Sequence, residues 1–392
     1  MNKHLRKQDM FLLLGSRITL NNAEFNDFDQ LIKSIDDWAA IFKKAVTLNV
    51  ASLLYKNCIK SKSRDLIPPN VLDDLKKMYI KTLLRNTKMN AAFKALMQLL
   101  TDNQIDFIPL KGAYLNLKVY EDIGLRLMGD IDLLIKQRNI EITKDLMLRN
   151  GWKININSYR TKVHEEVDKI VSHHPYILEK NQIIVELHSG IHPTYKSYQV
   201  NISDYWTRSH VSTLLNLKSF SLNKTDTLQH LCLHTYNDLL GKKYSLKLFV
   251  DITEFLKKFE QEIDWKLIEI TCTKYNCVQQ VQQTLKICKL YFNAPVDAEF
   301  MNHKLQLSNK KADLEKLFLN IFSKNAYAVL FNIVYGQYVK LYIYREIKGL
   351  KSTIIFFRGY IFPSAEFVCE RFTKQNRLKT HFRLYRFLKF IN

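Results

Sequence analysis

The sequence predicts an α+β protein, in which a small mixed β-sheet is set among predominantly helical N- and C-terminal regions. Three observations lead there. Glycine and proline are scarce, 10 and 7 in 392 residues, and long stretches carry apolar residues at helical spacing. The few runs that alternate like strands cluster between residues 107 and 188. The length exceeds one ordinary domain. The chain divides into a helical region 1–100, a strand-bearing core 101–210, a second helical region 211–300 and a helical C-terminal region 301–392 with a basic tail.

In the first region Trp38, Ile41, Phe42, Ala45 and Val46 recur at helical spacing, and Val50 to Ile59 continues as another apolar stretch. Pro68-Pro69-Asn70 starts a longer helix, with Asn70 read as its N-cap. Leu72, Leu75, Met78, Leu83, Met89, Phe93, Leu96 and Leu100 extend it. Plain packing accounts for these helices; a cap or acceptor-binding module is the functional alternative.

The stretch from Phe107 to Ile135, FIPLKGAYLNLKVYEDIGLRLMGDIDLLI, organises the rest. Residues 107–110 form a short strand, with Pro109 suited to an edge. Lys111-Gly112 turns into a helix over 113–120, a loop from Glu121 to Gly129 carries Arg126, and a strand follows over 130–135. Residues two apart on a strand share a face, so Asp130 and Asp132 project together while Ile131 and Leu133 point into the core. Two such carboxylates repel unless a cation, a shared proton or open solvent relieves them. Hard divalent cations such as Mg²⁺ take oxygen ligands. The competing reading is a polar strand end at a loop mouth, since D-x-D alone is common. Strand, glycine and helix in succession bring backbone N–H groups to bear on phosphate, and Lys111 adds a cation. These are the parts that phosphoryl or nucleotidyl transfer uses.

Glu141 to Asn150 reads as a helix closed by Gly151, and Trp152 to Ile156 as a strand. A hairpin follows, from His174 through a turn at Lys180-Asn181-Gln182 to His188. Ile184, Glu186 and His188 share a face of its second arm. A carboxylate on so apolar a strand is costly unless paired or metal-bound, or unless Glu186 simply faces solvent. His188 and His192 fit a structural or acceptor-side hydrogen-bonding role, with metal ligation as the alternative. His230 and His234 have a zinc-compatible spacing, but no glutamate follows His230 and the flanking leucines indicate a packed helix. Asp251 is a candidate partner for one of these histidines.

L-K-G-A, then Tyr120, Asp122, Arg126 and D-I-D-L-L-I, resembles an uncharacterised bacterial nucleotidyltransferase family of the polymerase-beta-like superfamily. W-x2-I-F-x2-A with V-A-S-L-L, V-E-L-H, LQHLCLHTYND and LKLFVDITEFL are similar to further parts of that family. The superfamily signature is a glycine-rich turn opening a helix, [D/E]-x-[D/E] on the next strand and a third carboxylate on a later one. Lys111-Gly112-Ala113 departs from it where Gly-Gly-Ser or Gly-Ser is usual. The resemblance implies transfer of an NMP from an NTP such as ATP to a hydroxyl-bearing acceptor, dependent on Mg²⁺ or Mn²⁺. It implies Asp130, Asp132 and Glu186 as catalytic metal ligands, and Lys111, Gly112 and Arg126 as nucleotide-binding residues. It also implies an acceptor from surface-polysaccharide or natural-product pathways: a sugar, a lipid-linked glycan or a peptide. The alternatives are a toxin-like transferase modifying RNA or protein, and a catalytically inactive nucleotide-binding module.

A formal net charge of +21 points to an acidic partner, or to a lysine-rich proteome. Six scattered cysteines form no C-x-x-C pair and show no pattern of a disulfide framework or zinc knuckle, which fits a reducing cytoplasm. The apolar run after the basic N-terminus is too short for a signal-peptide core, so a cytoplasmic location is expected. Tyr327 to Tyr344 is apolar but interrupted by Asn332, Gln337 and Lys340, short of a transmembrane span. From Arg371 to Lys389 the tail reads as a basic amphipathic helix, either packed on the chain or docked peripherally on the inner face of a membrane.

Overall fold

Helices form in the N-terminal region where the apolar spacing predicts them. The computed structural model describes residues 5–155, 176–192, 198–241, 245–302 and 314–322. Helices α1 (Lys7–Gly15), α2 (Asn22–Ile32), α3 (Trp38–Thr47) and α4 (Ala51–Lys60) come first. A capping box starts α2: the Asn21 side chain accepts from the Glu24 N–H, and the Glu24 carboxylate accepts from the Asn21 N–H. Helix α5 runs from Pro69 to Asp102, with Pro68 as N-cap and Pro69 at the first helical position. Asn70 is therefore inside the first turn and not the cap, because proline lacks only an N–H that no helix start can use.

At 34 residues α5 is long enough to serve two apolar clusters. Its first half buries Val71 and Leu75 among the helices, and its second half buries Met89, Phe93, Leu96 and Leu100 against the sheet.

The sheet comprises β1 (Phe107–Pro109), β2 (Ile131–Ile135), β3 (Lys153–Ile154), β4 (Tyr176–Lys180) and β5 (Ile183–His188). Helix α6 (Lys111–Lys118) joins β1 to β2, and α7 (Ile140–Arg149) joins β2 to β3. The order is β1-β2-β5-β4-β3, with β2 and β5 parallel and the other pairs antiparallel. Pro109 ends the strand at one edge of this sheet, where its missing N–H is tolerated. Gly151, at φ +82°, closes α7. Asn181 and Gln182, at φ 52° and 65°, make the β4–β5 turn. The expected strand through Trp152–Ile156 shortens to β3, and residues 156, 174 and 175 of the expected strands lie outside the described residues.

After α8 (Ile202–Arg208) comes a second hairpin, β6 (His210–Leu214) and β7 (Leu217–Ser221), which the sequence did not signal. Its turn is Leu215-Asn216, both left-handed, without the glycine that usually marks one. Then follow α9 (Lys224–Leu240), α10 (Leu246–Phe259), α11 (Trp265–Lys274), α12 (Val278–Phe292), α13 (Ala298–Asn302) and α14 (Leu314–Leu319). Phe11 and Phe28 from the N-terminal helices share one cluster with Phe249, Phe292 and Phe318. Leu134 of β2 belongs to it too, whereas Ile131, Leu133 and Ile135 belong to the sheet cluster. The even-numbered face of β2 thus looks toward the helices that follow the sheet. No helix among the described residues is long and apolar enough to cross a membrane. The segments 327–344 and 371–389 lie outside the described residues.

Candidate active site

Strand periodicity and parallel register together build the site. Asp132 on β2 stands opposite Glu186 on β5, and Leu134 opposite His188. Asp132, Glu186 and His188 therefore share a face. Each offers one ligand atom, and these atoms lie within 4.8 Å of one another. Lys111 Nζ donates to Asp132 Oδ1 at 2.8 Å, and His188 Nε2 lies 2.8 Å from the same oxygen. His188 Nε2 is also 3.3 Å from Glu186 Oε2. Asp132 is 1% exposed, while Asp130 and Glu186 are half-buried.

The charges set one another. Repulsion from Asp132 first, then burial and Glu186, raise the pKa of Asp130 to about 6. Burial alone would raise Asp132, but Lys111 and His188 outweigh it and hold that carboxylate well below its usual range. Glu186 is opposed by burial yet lowered, chiefly by its hydrogen bond with His188. Burial would lower Lys111 and His188; Asp132 and Glu186 prevail and keep both above their ordinary values.

Lys111 opens α6 at φ 43°, so the left-handed position of the β1–α6 turn falls on the lysine and not on Gly112. Gly112 is needed for a different reason. A Cβ there would lie 2.8 Å from Arg126 Nη1 and 3.3 Å from Met128 Cγ. Arg126 is 4% exposed and makes a two-point pair with Asp251 on α10, Nε to Oδ1 and Nη2 to Oδ2, both at 2.7 Å. Its Nη1 donates to Asn116 Oδ1 at 3.3 Å, and the Tyr120 hydroxyl donates to Asp251 at 2.7 Å. In the free protein Arg126 is held in this bridge. Asp251 in turn pairs with an arginine and a tyrosine, and among the described residues the expected histidine partnership does not form.

Helix α5 fastens the loop that delivers Asp130. Asn86 donates to the Arg126 carbonyl and accepts from the Met128 N–H, and Arg85 donates to the carbonyls of Met128 and Gly129. From α10, Lys247 Nζ donates to the Leu127 carbonyl at 3.2 Å.

One family model, described as an uncharacterised nucleotidyltransferase, matches residues 34–293, from the N-terminal helices through the sheet to the end of α12. The chain belongs to this family. No curated protein matches it. Family membership makes the protein an enzyme of the nucleotidyltransferase class, and the α+β core with its carboxylate-bearing strands is the fold expected of it.

Of the other histidines that the sequence singled out, none joins the cluster of Asp132, Glu186 and His188. His192 Nε2 accepts from the Val200 N–H at 2.8 Å, and its ring packs edge-on against Tyr198. His230 is buried in a packed helix, and burial pushes its pKa down to about 3, so it is neutral. Among the described residues, no third ligand joins His230 and His234. Sequence patterns missed His188 as the link between Asp132 and Glu186, although its place two residues after Glu186 on a strand carried that signal. They also missed Arg85, Asn86 and Lys247, which carry no local signal at all.

Proposed function

We propose that this nucleotidyltransferase moves an NMP from an NTP to a hydroxyl on its acceptor and releases pyrophosphate, with Asp130, Asp132 and Glu186 as its catalytic carboxylates. The observation that carries this is the in-register placing of Asp132 and Glu186 on adjacent parallel strands, with Asp130 two residues upstream. Three carboxylates against Lys111 and Lys247 leave an acidic excess, and the raised Asp130 shows its electrostatic cost. That donor set fits divalent cations, Mg²⁺ or Mn²⁺, with His188 favouring Mn²⁺ where it ligates directly. When bound, such ions neutralise phosphate oxygens and lower the pKa of an attacking hydroxyl.

The chain's own groups do the rest. Glu186, half-buried and ionised, accepts the proton of the acceptor hydroxyl as it attacks the α-phosphate. His188 orients Asp132 and Glu186 by bonding to both. Lys111 leaves Asp132 for the triphosphate and offsets the charge that builds on pyrophosphate. Gly112 lets the first turn of α6 seat against Arg126, which locks the site to α10. The acceptor we favour is a sugar, a lipid-linked glycan or a peptide.

The test is incubation with each α-phosphate-labelled NTP, a divalent cation and cell lysate. Label should move to a macromolecule or glycan with stoichiometric pyrophosphate, and Asp132→Asn should abolish both. No label and no pyrophosphate with any NTP would defeat the proposal and favour an inactive binding module.

A further inference from the structure

Lys247 is a cation placed where its surroundings oppose the charge. It lies in the first turn of α10, the positive end of a 14-residue helix. It is half-buried, and the buried Arg126 guanidinium is among its neighbours. Among the described residues, one of its three N–H donors bonds a protein group, the Leu127 carbonyl. A neutral donor would serve that carbonyl as well. The charge does meet the acidic cluster, because Asp251, Asp130 and Asp132 all attract it, and it lowers the pKa of Asp130 in return. Asp251 is already neutralised by Arg126 at two points and Asp132 by Lys111, so the unanswered attraction comes from Asp130.

We propose that Lys247 is a second nucleotide-binding cation of this site, reaching the triphosphate from α10 while Lys111 reaches it from the β1–α6 turn. The inference rests on the nucleotidyl-transfer reading above. Lys111 is tied to Asp132 in the free protein and Arg126 to Asp251, whereas Lys247 bonds a neutral carbonyl and keeps its charge for an incoming anion. Burial first, and Arg126 second, push its pKa down to about 8. An anionic phosphate relieves such a lysine, and the extra charge-assisted bonds use its two remaining donors. The geometry makes the site composite. The sheet supplies the carboxylates and the post-sheet helices supply a phosphate ligand, which gives a reason for Arg126–Asp251 to bolt α10 to the loop before β2.

The experiment measures equilibrium binding of a non-reactive NTP analogue and of the matching NMP, with Mn²⁺ present, by wild type, Lys247→Gln, Lys247→Met and Lys247→Arg. Lys247→Gln keeps a donor for the Leu127 carbonyl and removes the charge. Triphosphate affinity should fall about tenfold or more in the Gln and Met variants, with NMP affinity nearly unchanged, and Lys247→Arg should stay within about threefold of wild type. If Lys247→Met fails to fold, the Gln and Arg variants decide. Triphosphate binding by Lys247→Gln at the wild-type level would overturn the proposal while leaving the nucleotide reading intact, and so would equal losses for triphosphate and monophosphate. Failure of the wild type to bind any NTP would overturn both.

Discussion

Replacing Asp130 by Asn should stabilise the free protein, and the size of the gain should depend on pH. Asp130 has a pKa of about 6 against an ordinary 3.8, because Asp132, burial and Glu186 oppose its ionisation. At pH 7 that shift corresponds to about 3 kcal/mol of penalty on the ionised form. Asp130 is only half-buried, so solvent screening brings the expected gain to about 1–2 kcal/mol. The sign follows from proton linkage. Below about pH 4 the carboxyl is protonated in both folded and unfolded chains, and wild type and variant should coincide. As pH rises from about 4 to 6 the unfolded chain ionises first, and wild type loses stability relative to Asp130→Asn. Above about pH 6 the difference should be constant. Urea unfolding at several pH values between 4 and 8, with chelator present, measures this directly. A variant less stable than wild type at pH 7, or a difference that does not vary with pH, would refute the electrostatic picture of the site.

Asp132→Asn should act in the opposite direction. It leaves the Lys111 ammonium, 15% exposed, without its carboxylate, and should cost about 3 kcal/mol in the same unfolding assay; adding Lys111→Met should restore most of the loss. Glu186→Gln should lower kcat by about a hundredfold or more with little change in KM for NTP, and an unchanged kcat would remove Glu186 from proton transfer. Arg126→Met should destabilise by about 3–5 kcal/mol by stranding the 2%-exposed Asp251, and Arg126→Met with Asp251→Asn should be more stable than Arg126→Met alone.

Much of the site was legible because strand periodicity is local. The pair Asp130-x-Asp132 and the lone Glu186 on an apolar run announce themselves within six residues each. That Glu186 lies beside Asp132 and not elsewhere depends on the parallel pairing of β2 with β5, which no local pattern states. The same limit hid the partner of Arg126, since Asp251 lies 125 residues away. Sequence alone treats the two aspartates alike; the structure separates them, because only Asp132 receives Lys111 and His188. Lys111 as the left-handed residue was invisible for a different reason. A glycine stands next to it and is the natural choice for positive φ, but here that glycine is reserved for the approach of Arg126. The β6–β7 hairpin escaped notice because Leu215-Asn216 lacks the glycine signal of a tight turn.

The most direct test of the carboxylate site is Mn²⁺ binding, followed by paramagnetic resonance in the presence of a non-reactive NTP analogue. Wild type should bind the ion together with the nucleotide, and Asp132→Asn and Glu186→Gln should each weaken ion binding about tenfold or more while remaining folded. Unaltered Mn²⁺ binding in both variants would contradict the assignment of these carboxylates to the metal and, with it, the proposed chemistry.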